Sequence, residues 1–170
     1  MISTDEKTGI QALEPKIVPT GKVVGDVLAR RTSVDFSKHI RHVAEQFPEA
    51  TRFHWVMDNL NTHWSLELCR LIAELSGVCF EPKQLDTGIK RRAFLTDPEH
   101  KHVIHYTPKH GSWLNQIEIW FGVLQRRLLR YGEFRSKDDL MNQLLEYLDY
   151  HNIHWAHPYR WPYTGQPLVA

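Results

Sequence analysis

Strands alternating with helices around one sheet, an α/β fold, is the architecture this chain predicts. Three observations carry that reading. Phe53-His-Trp-Val-Met57 is a short apolar run of the kind that forms a buried central strand. Stretches with apolar residues at helical spacing precede and follow it. A longer stretch, Tyr106 to Gly132, reads as one helix delivered by a loop. With 170 residues, 42% of them hydrophobic and 24% charged, the chain can bury roughly 70% of its unfolded surface. One domain over residues 1–170 is expected. No apolar run approaches the roughly 18 residues of a membrane span, and Met1-Ile-Ser-Thr-Asp5 lacks the regions of a signal peptide. The expected location is therefore the cytoplasm, with Cys69 and Cys79 as reduced core residues.

In chain order, Met1 to Thr4 reads as the end of a short strand with Asp5 at its exit. Thr8 to Gly21, punctuated by Gly9, Pro15, Pro19 and Gly21, reads as a loop, and Lys22 to Arg30 as a strand. Phe36, Ile40, Val43, Ala44 and Phe47 have helical spacing, with Ser33 or Asp35 as cap and Pro48 as stop. After the Phe53–Met57 run comes Asp58, a second carboxylate at a strand end. Ser65 to Ser76 is a helix closed by Gly77, and Val78-Cys-Phe80 a brief strand. Residues 83 to 101 show no clear period and read as a basic, exposed excursion. His102-Val-Ile-His-Tyr106 is a strand feeding the organising helix, expected over roughly 113 to 131 with Ser112 as N-cap and Gly132 as left-handed stop. Its stripe comprises Trp113, Leu114, Ile117, Trp120, Phe121, Leu124 and Leu128, and Glu118 lies beside that seam with Asn115, Gly122 and Gln125. A last helix begins at Ser136, with Asp139 completing a capping box.

Net charge is only +1, but it is unevenly spread. Lys83 to Lys101 holds five Lys/Arg against three acids, and Lys109 to Arg135 five against two. Such a mildly basic middle suits a polyanion without requiring one. Lys83, Lys90, Arg91, Arg92 and Lys101 are candidate contacts to the phosphates of such a polyanion.

Asp5, Asp58 and Glu118 could converge at one sheet edge, where open α/β sheets place ligands. Three carboxylates without a clear histidine or cysteine set favour Mg²⁺ or Mn²⁺. Two such ions about 4 Å apart can activate a hydroxyl and stabilise a leaving oxygen in phosphodiester displacement. An isolated Asp at a strand end is also a common turn or cap residue, so the pattern alone leaves both readings open. His151, His154 and His157 could in principle share a metal, but Asn152 and Pro158 favour a helix end and packing there. Trp155 and Trp161 suit packing more than base stacking.

Asp5-Glu-Lys-Thr-Gly-Ile-Gln-Ala-Leu-Glu14, Met57-Asp-Asn-Leu-Asn-Thr-His63 and above all His110-Gly-Ser-Trp-Leu-Asn-Gln-Ile-Glu-Ile-Trp-Phe121 resemble the catalytic domain of bacterial insertion sequence 630 family transposases, in the mariner superfamily. His157-Pro-Tyr-Arg-Trp161 resembles that family's C-terminal pattern. The resemblance implies an RNase H-like (retroviral integrase-like) mixed sheet flanked by helices. It also implies a catalytic triad of Asp5, Asp58 and Glu118 binding two Mg²⁺ or Mn²⁺ ions. The implied reaction is hydrolysis at transposon ends, then attack of the freed 3′-hydroxyl on target DNA, typically at a TA step. Asn61, His63 and Asn115 become candidates for supporting the triad or touching DNA, with Lys109 and His110 as further DNA contacts. The implied partners are transposon-end and target DNA, with a second copy of the chain as a candidate.

Three departures from the family pattern shape the expectation. The chain starts at the first catalytic strand, without an amino-terminal helix-turn-helix region, so specific end binding is not expected. A strand and its hairpin partner are expected to be missing near Gly21, which would leave the strand of Asp5 unsupported. Asp58 and Glu118 are 60 positions apart, longer than the mariner spacing, with the excess assigned to residues 83 to 101. These departures predict a truncated domain that cleaves DNA poorly by itself, or a non-catalytic remnant that retains a DNA-binding or self-association surface.

Overall fold

Period-two burial is plainest in Phe53–Met57, where Phe53, Trp55 and Met57 are buried and His54 and Val56 are half-buried. The computed structural model of the protein describes residues 2–4, 13–17, 21–27, 30, 32–108 and 116–157. Within them five strands form one sheet: β1 (Ile2–Thr4), β2 (Leu13–Ile17), β3 (Val23–Val27), β4 (Phe53–Met57) and β5 (His102–Tyr106), in the order β3-β2-β1-β4-β5. β1 runs parallel to β4, and β4 parallel to β5. β2 is antiparallel to both β1 and β3.

The helices are α1 (Ser33–Glu45), α2 (Leu66–Ser76), α3 (Gly88–Leu95), α4 (Gln116–Leu124) and α5 (Lys137–His154), with 3-10 turns at Asn61–Trp64 and Pro82–Gln84. One core joins α1 (Phe36, Ile40, Val43) to Phe53, Trp55 and Met57 of β4, Ile104 of β5, Leu68 and Ile72 of α2 and Leu95 of α3. A second joins Val23 of β3 to Ile117, Trp120, Phe121 and Leu124 of α4 and to Leu144 and Leu148 of α5. Fully burying one such side chain contributes roughly 1.5–3 kcal/mol. Each core alone would outweigh any single polar contact described below.

Several expectations are corrected. The segment read as a loop contains β2, which pairs with β1 at Ser3↔Ile17 and Thr4↔Lys16 and with all five residues of β3. The supporting strand expected to be missing is present. Residues 83 to 101 are no excursion: they hold the Pro82–Gln84 turn and α3, which packs on α2 and β5 and buries Leu95. Val78-Cys-Phe80 forms no strand. Cys69 is a buried core thiol whose pKa burial pushes up to about 12, but Cys79 is exposed, and both are free. Gly132 is not the left-handed stop, since the positive-φ glycines among the described residues are Gly21 and Gly77. The organising helix instead runs from α4 into a π-helical turn at Gln125–Leu129. Its expected cap Ser112 and stripe residues Trp113 and Leu114 lie outside the described residues.

Cap chemistry departs in detail. Thr32, one residue before the expected cap, accepts from Asp35 N–H, and Asp35 accepts from Thr32 N–H in return. At α5, Ser136 accepts from Asp139 N–H, but Asp139 accepts from Arg135 N–H rather than closing the box on Ser136. Gly77 at φ 68° ends α2 as expected.

Candidate active site

Asp58 directly follows the last residue of β4. Its Oδ1 accepts the Leu60 N–H at 2.9 Å, a local turn contact that fixes the carboxylate against its own backbone. The 3-10 turn that follows brings His63 back so that Nδ1 lies 2.7 Å from the same Oδ1. It also lies 3.3 Å from the Asp58 carbonyl oxygen. Both oxygens can only accept, so Nδ1 carries the proton. The His63 ring is fully buried and packs 4.4 Å from the Phe36 ring, while the Asp58 side chain is 33% exposed. Burial works to raise the Asp58 pKa, but the His63 hydrogen bond and charge, with the Leu60 N–H, outweigh it and hold the carboxyl below its ordinary value. Asp58 is thus an ionised carboxylate with Oδ1 occupied and, among the described residues, no hydrogen-bond partner on Oδ2.

Asn59 ties this corner to its surroundings. Its Nδ2 donates to Thr107 O just past β5, and its Oδ1 accepts from Arg92 of α3 at 2.5 Å. The Arg92 guanidinium also lies over the rings of Trp64 and Tyr106, at 5.2 and 4.9 Å. α3 is therefore bolted to the residue next to Asp58.

Glu118 stands exposed in the first turn of α4, a helix that packs against β1 and β2. Asp58 follows β4, the other neighbour of β1. The two carboxylates thus come from α4 and the end of β4, elements that both contact β1. Asp5, Lys109, His110 and Asn115 themselves lie outside the described residues. Asn61 is exposed at the start of the 3-10 turn beside Asp58. His63 is buried against Asp58, with its Nδ1 on the carboxylate. Lys90 is exposed and paired with Asp86 at 2.8 Å. Arg91 donates to the carbonyls of Leu85 and Asp86.

A half-exposed, ionised carboxylate with an oxygen to spare fits a hard divalent cation, and so does an exposed Glu at a helix start. One cluster escaped the sequence reading: Asp26 of β3 with His39 and His42 of α1, the single group of three potential ligands among the described residues. The His-x-x-His spacing on one helix was its available signal. His151, His154 and His157 form no such group there; His151 is buried against Trp120 and Tyr147. Trp155 likewise packs on Tyr150 and beneath Arg127, 4.0 Å from its ring.

No described helix is long and apolar enough to cross a membrane. No curated protein and no solved structure matches the chain. The family model for DDE superfamily endonucleases matches residues 18–141, a stretch that contains both Asp58 and Glu118.

Proposed function

The chain belongs to the DDE superfamily of endonucleases, and on that premise we propose that it is a transposase catalytic domain in which Asp5, Asp58 and Glu118 hold two Mg²⁺ or Mn²⁺ ions. The reaction is phosphodiester hydrolysis followed by DNA strand transfer, and the finer assignment is to the insertion sequence 630 and mariner group. The observation that carries this reading is the setting of Asp58, an ionised carboxylate clamped on one oxygen by buried His63 inside the matched stretch. The parallel register Ser3↔Val56 runs β1 in the same direction as β4, which leads into Asp58. A five-stranded mixed sheet with helices on both faces supports the RNase H-like fold.

In this reading His63 fixes the direction of Asp58 and keeps it deprotonated, and the Leu60 N–H holds the carboxylate against the backbone. The bound cations would supply an activated hydroxyl and charge stabilisation of the leaving oxygen. Asn61, Asn115, Lys90, Arg91, Arg92, Lys109 and His110 are the proposed DNA side of the site. Of the three departures behind the alternative of a non-catalytic remnant, the missing strand is the one that the pairing of β2 with β1 removes.

Purified residues 1 to 170 should nick a transposon-end duplex in Mn²⁺, and Asp58→Asn and Glu118→Gln should each reduce nicking to background. Calorimetry should show Mn²⁺ binding weakened in Asp58→Asn. Equal nicking by all three proteins would remove the assignment, and an inactive wild type that still binds DNA would favour the remnant.

A further inference from the structure

Strand alternation sends Val23 and Val27 of β3 to the α4 and α5 side of the sheet, and Val24 to the α1 side. Asp26 shares the Val24 face and meets α1. His39 and His42, three positions apart and so neighbours on one helix face, both turn Nδ1 toward its carboxylate. The His39 Nδ1 to Asp26 Oδ2 distance is 2.5 Å, and His42 Nδ1 lies 3.0 Å from each carboxylate oxygen. One ligand atom from each residue falls within 4.8 Å of the others. His39 is fully buried, whereas the side chains of Asp26 and His42 are 26% and 44% exposed.

We propose that Asp26, His39 and His42 form a second cation site, for one borderline transition metal ion such as Zn²⁺ or Co²⁺, separate from the DDE carboxylates. Two imidazoles and one carboxylate are the donor set such ions prefer, and they differ in kind from the all-oxygen set suited to Mg²⁺. Metal–ligand bonds of about 2.0–2.2 Å at tetrahedral angles separate ligand atoms by about 3.3 Å. The histidine contacts to the carboxylate, 2.5–3.0 Å, lie just inside that spacing, and the whole set falls within 4.8 Å. Each Nδ1 now directs a proton into the carboxylate, and a metal ion would replace those protons and release them to solvent. Asp26 is ionised under ordinary conditions: burial acts to raise its pKa, but the two histidines overcome this and bring it down to about 2. The exposed flank formed by His42 and Asp26 gives an entry path and room for water as the fourth ligand. The buried His39 fixes the inner wall. The ion would cross-link α1 to the edge hairpin of β2 and β3.

The test uses the full chain in an Asp58→Asn background, which silences the carboxylate site while leaving these three residues untouched. Titrated with Co²⁺, the protein should develop the visible absorption of a four-coordinate ion at one equivalent, and Zn²⁺ should erase it by displacement. His42→Ala, at a partly exposed position, and Asp26→Asn, of unchanged shape, should each lose that spectrum while keeping the far-ultraviolet circular dichroism of the parent. Absence of Co²⁺ and Zn²⁺ binding in the parent would overturn the proposal and leave the cluster a hydrogen-bonded clasp. So would a spectrum that survives both substitutions.

Discussion

Asp58 and Asp26 show how the same chemistry at residue scale can serve two ends. Each is a carboxylate next to an imidazole Nδ1 on its neighbouring element, and each has its pKa lowered by that contact. At Asp58 a single histidine occupies one oxygen and leaves the other available. At Asp26 two histidines converge and the three groups together make a ligand set. The role of His63 can be isolated with His63→Phe, which keeps an aromatic ring against Phe36 but removes the N–H. Losing a hydrogen-bonded support behind a metal ligand typically costs about 10–100-fold in metal affinity or activity, and that is the expected loss in Mn²⁺-dependent nicking. The sign of the pH effect follows from the lowered pKa. Without His63 the Asp58 pKa rises, so the acidic limb of the rate profile should move to higher pH. An acidic limb unmoved in the variant would show that His63 only fills space.

At the scale of elements, β4 and β5 are joined by stacked rings as well as by their ladder. His102 stacks on Phe53 at 4.3 Å, and its Nδ1 accepts from Trp55 Nε1 at 3.2 Å, so the ring is neutral with its proton on Nε2. Burial, with Lys101 nearby, lowers its pKa from 6.5 to about 4. The unfolded chain takes up this proton first as pH falls. The stability that His102 contributes is therefore full above pH 6.5 and is lost as pH falls toward about 4. A gap of that size amounts to about 3 kcal/mol. Urea unfolding at pH 7 and pH 5 should show a clearly smaller loss of stability in His102→Gln, which can still accept from Trp55 but does not titrate. Equal losses in both proteins would remove His102 as the source. β4, β5 and α2 were legible in the sequence because apolar spacing, Ser65 and Gly77 all agreed on them. β2 was not, because Pro15 and the flanking glycines are breaker signals. Pro15 pairs with Gly25 beyond the Thr4↔Lys16 pair, so it does not interrupt the described ladder to β1. α3 was hidden for another reason. Much of its packing is the Arg92 guanidinium against Trp64 and Tyr106, which a pattern of apolar residues does not register. Asp58 and Glu118 were legible as single carboxylates. The His63 clamp was legible only as a candidate, since burial and ring direction depend on the whole turn.

At the scale of the whole molecule, the last helix, α5, is tied to β3 by one asparagine. β3 is an edge strand, and an unpaired edge exposes backbone donors and acceptors. Asn152, near the end of α5, caps part of that edge: its Oδ1 accepts Val23 N–H at 2.7 Å, and its Nδ2 donates to Val23 O at 2.8 Å, across 129 residues of sequence. The amide thereby imitates one residue of a sixth strand. Asn152 does not end the helix, which continues to His154. The join is close-fitting, because Gly21 at φ 79° has no room for a Cβ against the His157 backbone. Val23 is only 2% exposed, so water cannot readily replace the asparagine. Asn152→Ala would leave two buried backbone groups unsatisfied, at about 1–3 kcal/mol each, out of a total stability on the order of 5–15 kcal/mol. Asn152→Asp should be no rescue, because a carboxylate oxygen would then face the Val23 carbonyl. Both variants should lower the urea midpoint with an unchanged slope, and in Asn152→Ala, which lacks the acceptor oxygen, the Val23 amide should lose its protection from hydrogen exchange. An unfolding free energy for Asn152→Ala within about 0.5 kcal/mol of wild type, the range of ordinary surface substitutions, would show that α5 is held by its apolar packing through residues such as Leu144 and Leu148.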